Sequence, residues 1–557
     1  MKKRYFFLIT VLIVTISNAQ IVNIPDANFK YILLTYPIAD INGDGNADSF
    51  IDTNNDGEIQ VSEALVPMGI TIFSNQIISF EGIESFENIE WFSTVSNDMT
   101  SLDLSQNHNL ISVFCTLNSS LTQLYLNQNP NLIELICRSN QLTSLDITQL
   151  INLEHLEIRQ NNITSIDLSQ NPNLQTLYCD INQLTNIDIT QNTNLTFLQC
   201  SKNQLTNIDV SQNTNLSKLY CFDNQLTTLD VTQNPNLDYL NCKENLLTSI
   251  DISNNLLLEF FNCSNNQFEN LNVSNNINLQ YLAFNDNQLT EIDVSNNINL
   301  QSLAFSDNQF TEIDVSNLGV LRSIRCDGNQ LTDLDVSNNF LLELIYCWEN
   351  EISNLDLSNN SSLEDLVCSS NQLVNLDLSS NTSLERIVCR YNPHLESLNV
   401  KNGNNTNMWG FMAEYNPMLT CIFVDDEDYS NENWSGYKDA TSHFVETQEE
   451  CDEITNSLTY IPDDNFEQLL IDYGYDVILD DYVMTYNINE ITILQIYNAE
   501  ITDLTGIEGF EMLNKLTFFT KKWYLYRRPL AFLTRNYFRI KNTYFAPEPN
   551  PEEAAEL

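Results

Sequence analysis

Basic residues are scarce in this chain. Lys and Arg number 23 against 75 Asp and Glu, for a formal net charge of −52. Three of the 23 are Lys2, Lys3 and Arg4, and eight lie from Lys515 onward, so only twelve serve residues 20–514. Phosphate backbones and anionic lipid are held by clustered Lys and Arg. A surface this acidic excludes nucleic acid as a partner. Histidine is scarcer still: His108, His155, His394 and His443 are scattered along the chain. G-x-S-x-G, H-E-x-x-H and Gly-rich phosphate loops are missing, so no catalytic function is expected. A carboxylate pair for glycoside hydrolysis is not excluded by counting, but the acids recur on a regular column and read as structural. No C-x-x-C pair exists, which disfavours metal binding by cysteine. Long apolar runs are lacking too. The one near the start, Tyr5 to about Ile16, is short, follows Lys2–Arg4 and precedes Ser17-Asn18-Ala19. That pattern reads as a signal peptide, with a mature chain beginning at Gln20. No membrane span is expected in the mature chain. The expected location is secreted, with outer-membrane or cell-surface association as the alternative.

What is abundant is repetition. From Cys200 to Cys242 the unit is L-x-x-L-x-C-x-x-N-Q-L-T-x-L-D-V-S-x-N-x-x, 21 residues long. Its Cys position recurs without slippage at Cys137, Ile158, Cys179, Cys200, Cys221, Cys242, Cys263, Phe284, Phe305, Cys326, Cys347, Cys368 and Cys389. Cys115 and Thr94 continue it upstream, with one residue inserted between Cys115 and Cys137. L-x-C alternates, so it reads as a short strand with Leu and Cys facing inward. One turn cannot bury its Leu face alone. Stacked turns bury a continuous core, with strands in parallel sheets. The Asn three residues past the Cys position (Asn97, Asn118, Asn140, Asn161 and onward to Asn392) can satisfy backbone groups where the chain leaves the strand. The Asp column Asp146, Asp167, Asp188 and onward to Asp377 stacks like charges. Hydrogen bonds from the following Ser or Thr and from turn amides should offset the repulsion.

The unit resembles the leucine-rich repeat, in its short 21-residue bacterial class, over roughly residues 89–424. The resemblance implies an arc or superhelix whose sheet presents a protein-binding surface, as in secreted and surface bacterial proteins of the internalin kind. Asp-Val-Ser-x-Asn is poor helix material. The expected fold is therefore mainly β: a leucine-rich-repeat solenoid with parallel strands, a helical N-terminal cap and calcium loops.

The expected organisation is a signal peptide at 1–19, an N-terminal cap at 20–88, the solenoid at 89–424 and a C-terminal cap at 425–456. A second N-terminal cap follows at 457–518, and an anomalous basic and aromatic tail at 519–557. The second cap is read from Ile461-Pro462-Asp463-x-Asn465-Phe466, which repeats Ile24-Pro25-Asp26-x-Asn28-Phe29. Gly506-Ile507-Glu508 likewise repeats Gly82-Ile83-Glu84. The tail reads either as a genuine basic segment or as a shifted reading frame. The second is preferred, because a cap with nothing to cap makes little sense.

Two acidic loops in the first cap suit a hard cation. Asp52, Asn54, Asp56, the Glu58 carbonyl and Glu63 match the twelve-residue calcium loop, with Gly57 at its sharp turn. Upstream, Asp40, Asn42, Asp44 and Asp48 form a less complete copy, resembling the chained calcium loops of thrombospondin-type and dockerin-type modules. The expected cofactor is Ca2+. Eleven cysteines fall in the inward column and read as small buried apolar residues with free thiols. Cys421 and Cys451 lie beyond it, and a disulfide between them would close the C-terminal cap.

The strand positions one and three before the Cys position, and one after it, should point away from the core. Seven of the twelve cations stand there: Arg138, Arg159, Lys218, Lys243, Arg325, Arg386 and Arg390. Aromatics crowd the same positions, most densely from Tyr178 to Tyr281. Exposed Tyr, Trp and Arg on a rigid sheet are what binding hot spots use. The candidate ligand-binding set is Tyr178, Phe197, Tyr220, Phe222, Tyr239 and Phe260, with Lys218 and Lys243 selecting an acidic group. The expected function is extracellular protein–protein recognition. The alternative is a polysaccharide-binding adhesin or a non-catalytic accessory module.

Overall fold

A computed structural model describes residues 20–73, 76–455, 458–497, 501–519 and 542–546. The leader expected at 1–19 and most of the tail after 519 lie outside the described residues. The chain divides into two compact units between Phe268 and Glu269.

In the N-terminal unit each turn contributes one short strand to a common sheet, paired in parallel from Gly69–Phe73 to Phe260–Asn262, and two early turns add a second pair, Ser101–Asp103 and Gln123–Tyr125. The register advances by one repeat per strand, so Phe197 faces Lys218 and Leu198 faces Leu219. That register sets Leu on Leu from Leu177 to Leu240, with Phe261 next, and carries the Cys column along beside it. Leu177, Leu198, Leu219 and Leu240 are fully buried, as are Cys179, Cys200, Cys221 and Cys242. Truncating such a Leu to Ala costs about 2–5 kcal/mol. The C-terminal unit repeats the arrangement from Tyr281–Ala283 to Gly410–Met412. It adds a second parallel sheet of Asn375–Asp377, Ser397–Asn399, Cys421–Phe423 and His443–Val445.

Helix is confined to short pieces away from the stacked turns. Helix α1 (Ala27–Thr35) begins at Asp26, whose carboxylate accepts from the N–H groups of Asn28 and Phe29. It buries Phe29, Ile32 and Leu33, the face read from the sequence. Helix α2 (Val61–Ala64) follows the second acidic loop. Helix α3 (Glu427–Trp434) and helix α4 (Gln448–Thr455) flank the strand at His443–Val445. Helix α5 (Asp464–Asp472) belongs to the repeated segment.

The turn off each strand is held by the expected asparagine. Asn203 donates to the carbonyls of Cys179, Cys200 and Ser201, and its Oδ1 accepts from Leu184 N. This tie fixes a left-handed residue two past the Cys position in turn after turn, from Ser139 (φ 56°) to Asn265 (φ 53°). Such a φ is costly for residues with a Cβ, and here Lys202, Asp223 and Glu244 all adopt it. Only at Gly328, two past Cys326, does a glycine hold this position. A second Asn row, at Asn192, Asn213 and Asn234, is fully buried. Asn213 Nδ2 donates to the carbonyls of Ile189 (3.0 Å) and Asn192 (2.8 Å) in the preceding turn.

The Asp column behaves as expected. Each Asp accepts from the Ser or Thr two residues on, as Asp209 does from Ser211 N at 2.9 Å. The Ser211 hydroxyl and then its N–H hold the Asp209 carboxyl below the usual range.

Candidate functional site

The candidate ligand-binding residues come together on one strand face of the N-terminal unit. Tyr178, Phe197, Tyr220, Tyr239 and Phe260 form a continuous row across five consecutive strands. Successive ring centroids are 4.6, 5.5, 4.5 and 4.0 Å apart. His155 extends the row at 5.8 Å from Tyr178. The one-turn repeat brings side chains from adjacent strands to about 4.8 Å, which is the separation at which aromatic rings stack. The rings become more parallel along the row, from 36° between Tyr178 and Phe197 to 3° between Tyr239 and Phe260. Tyr220, Tyr239 and Phe260 therefore stack on one another, while Tyr178 and Phe197 are tilted within the row.

Cations flank the row. Arg159 lies over the Tyr178 ring, Lys218 over Tyr239 and Lys243 over Phe222, at 5.8, 5.9 and 5.5 Å. Each also meets a carboxylate of its own chain. Lys218 is 3.9 Å from Asp238, Lys243 is 3.1 Å from Glu244, and Arg159 is 2.6 Å from Glu157.

One expectation about this face needs correction. The position after each Cys does not stay open when its side chain is small. Asp180 is only 4% exposed and Ser201 is fully buried. The physical reason is the one-turn spacing: a short side chain beside a larger one in the next turn is roofed by it. Burial drives the Asp180 carboxyl above the usual range, Arg159 and Gln199 notwithstanding.

The acidic loops hold their oxygens on their own amides. Asp52 accepts from the N–H groups of Asp56 and Gly57, and Asp56 takes the Gln60 side-chain amide at 3.0 Å. Glu63 accepts from Thr53 N and Gln60 N, and Glu58 pairs with Lys30 at 2.5 Å. In the first loop Asp40 accepts from Asn42, Gly43 and Gly45, Asn42 donates to Asp44, and Asp48 takes the Ser49 hydroxyl. Burial raises the Asp40 carboxyl, but the N–H groups of Gly45, Gly43 and Asn42 outweigh it and leave it lowered. Among the described residues, no three His, Cys, Asp or Glu side chains are grouped so as to hold a metal.

Cys421 and Cys451 form a disulfide, joining the strand Cys421–Phe423 to α4 and packing on Val445. The eleven column cysteines are free and buried. Burial pushes the thiols from Cys179 to Cys389 up, that of Cys347 to about 12, so these stay protonated and unreactive.

The sequence reading missed Trp409. It stands four residues before Ala413, which takes the Cys position in the turn after Cys389. That turn is 24 residues long rather than 21, so counting by the repeat puts the Cys position at Gly410, three residues too early.

Stacked 21-residue turns, inward Leu and Cys and an Asn tie at every strand exit define a leucine-rich-repeat solenoid. The chain is similar to the functional domain of InlJ from Listeria monocytogenes, which includes a cysteine ladder. Identity is 29% over 73% of this chain and 77% of that one, with a TM-score of 0.47. A leucine-rich-repeat protein from Leptospira interrogans shares the fold at 24% identity, covering 60% of this chain and 92% of its own, with a TM-score of 0.53. YopM from Yersinia enterocolitica is 21% identical over 64% of this chain and 89% of its own, with a TM-score of 0.47. No protein-family model and no curated protein matches the chain. No helix among the described residues is long and apolar enough to cross a membrane.

Proposed function

We propose that the protein works by binding another protein along the exposed strand face of its N-terminal unit. The observation that carries this reading is the aromatic row from Tyr178 to Phe260, five rings on a rigid parallel sheet with cations beside them. Rings already ordered by one another lose little freedom on binding, and Tyr and Arg are favoured hot-spot residues. The orientation of the rings favours a polypeptide over a polysaccharide. Sugars are gripped on open aromatic faces, and the stacked faces of Tyr220, Tyr239 and Phe260 are spent on each other. Edges and hydroxyls remain, which suit side chains and backbone carbonyls. The acidic surface and the leader read at 1–19 support an extracellular setting.

Tyr220→Ala/Tyr239→Ala is the direct test. Partners captured from neighbouring cell surfaces by the full chain would be titrated against both forms, with a glycan array run in parallel. The double variant should bind its protein partner at least about tenfold more weakly, with an unchanged thermal midpoint. Equal affinity would move the site off this row.

A second reading concerns Ca2+. The spacing of Asp52, Asn54, Asp56, Glu58 and Glu63 supports one ion in the second loop, and Asp40, Asn42, Asp44 and Asp48 support another in the first. The loop side chains would exchange or share their present hydrogen-bond partners with the cation. The ion would serve to stiffen the N-terminal segment that leads into the first turns.

A further inference from the structure

The strand face of the C-terminal unit carries its own chain of contacts, and it ends in an exposed ring. Arg325 lies over the Tyr346 ring at 4.8 Å. The Tyr346 hydroxyl donates to Asp365 at 2.7 Å, and Arg386 reaches the same carboxylate at 3.2 Å. Arg386 then lies over the Trp409 ring at 5.4 Å. Its path depends on Gly410, the residue opposite it on the next strand, where a Cβ would stand 2.8 Å from Arg386 Cγ. A glycine at the strand start thus leaves room for the Arg386 side chain to reach Trp409. Even so, Trp409 is 67% exposed, among the most open large apolar side chains described.

Trp409 borders a cleft of about 360 Å³ that is also lined by Arg322, Glu343, Glu364, Asp365 and Glu385. Arg322 answers Glu343 and Arg386 answers Asp365. Glu364 and Glu385 are exposed and have no ion-pair partner among the described residues. Two cations therefore face four carboxylates. Arg386 itself shows that this ring accepts a guanidinium, and an indole is the best aromatic for a cation.

We propose that Trp409, Glu364 and Glu385 form a second docking surface, for a polypeptide segment that sets a Lys or Arg beside an apolar residue. The cation meets the two open carboxylates, and the apolar neighbour packs on the indole. An aromatic held by its own chain beside unneutralised acids complements that pairing in both charge and shape. The surface involves none of the residues of the Tyr178–Phe260 row, so each can fail without the other.

The test uses the full chain and a fluorescein-labelled octapeptide of alternating Lys and Phe. An octapeptide of alternating Glu and Phe and the oligosaccharide chitohexaose serve as comparators. Trp409→Ala and Glu364→Gln/Glu385→Gln should each weaken the Lys-Phe peptide at least about fivefold, and Trp409→Phe should restore part of the loss. Glu291→Gln/Glu312→Gln, which removes the same charge from exposed positions elsewhere in the unit, should leave binding unchanged. An equal loss in that control would reduce the effect to bulk charge and overturn the proposal. So would no binding up to about 1 mM, or chitohexaose binding that needs Trp409 but not the two glutamates.

Discussion

Residues 24–89 and 461–513 are two versions of one construction, and they differ in a single place. In both, an aspartate starts a helix and ties it to a distant backbone. Asp26 accepts from Asn28 and Phe29 through one oxygen and from Ile78 and Ser79 through the other. Asp463 accepts from Asn465 and Phe466, and from Thr502 and Asp503. Both use a left-handed glycine, Gly82 (φ 106°) and Gly506 (φ 95°), whose N–H is taken by Glu84 or Glu508. Between these shared points the first version inserts its two acidic loops. The second has a short loop that exposes Val477, Ile478 and Leu479. The frame is set by a few side chains that satisfy backbone groups, and the loop between them is free to vary.

The largest expected effect is on the shared frame. Asp26→Ala and Asp463→Ala each remove a cap and leave several amides unpaired, a loss of about 3–4 kcal/mol. Amide exchange in α1 and α5 should accelerate accordingly in the respective variants. A large effect in one and none in the other would break the equivalence. Gly82→Ala and Gly506→Ala come next, at about 2–3 kcal/mol. The new Cβ would stand 2.7 Å from the Asn23 carbonyl oxygen or 2.5 Å from that of Tyr460, and φ is positive at both.

Calcium should separate the two versions. Titration after chelation should protect α1 by about 2–3 kcal/mol at ion concentrations near a hundred times Kd, with no change in α5. Glu63→Gln should weaken that response, and a response identical to wild type would remove Glu63 from the site. The smallest effect concerns Asp476, in the loop unique to the second version. Burial pushes its carboxyl up to about 6 from an ordinary 3.8. Above pH 6 the buried charge opposes folding, and as pH falls through 6 the folded form takes up the proton and the penalty fades. Asp476→Asn should therefore slow amide exchange in α5 slightly at pH 7 and leave it unchanged at pH 4. A stabilisation that persists at pH 4 would assign the effect to something other than charge.

Much of this was legible in the residues. A period of 21 held from Cys137 to Cys389 dictates that each inward residue meets an apolar residue at the same position one turn away, so the parallel core and the buried thiols follow from counting. The Asn three past each Cys follows too, because a chain leaving a strand needs an amide to satisfy its carbonyls. The pairing of Cys421 with Cys451 is legible because both fall outside the column. The duplicated Ile-Pro-Asp-x-Asn-Phe segment announces itself by identity.

The sequence alone determined which way each residue faces, since alternation along a strand is a local property. Only the tertiary structure decided what covers it. Ser201 and Phe222 occupy the same position in adjacent turns, yet Ser201 is fully buried and Phe222 is not. Whether rings in the Tyr178–Phe260 row show faces or edges depends on their neighbours' rotamers, not on their spacing. The loop acids offer cation chemistry by type, but the amides of the folded loop determine what they hold. Trp409 owes its place to three extra residues in one turn, and a periodic reading has no register for them. Facing is written in the chain one residue at a time, whereas coverage arises between turns that only folding brings together.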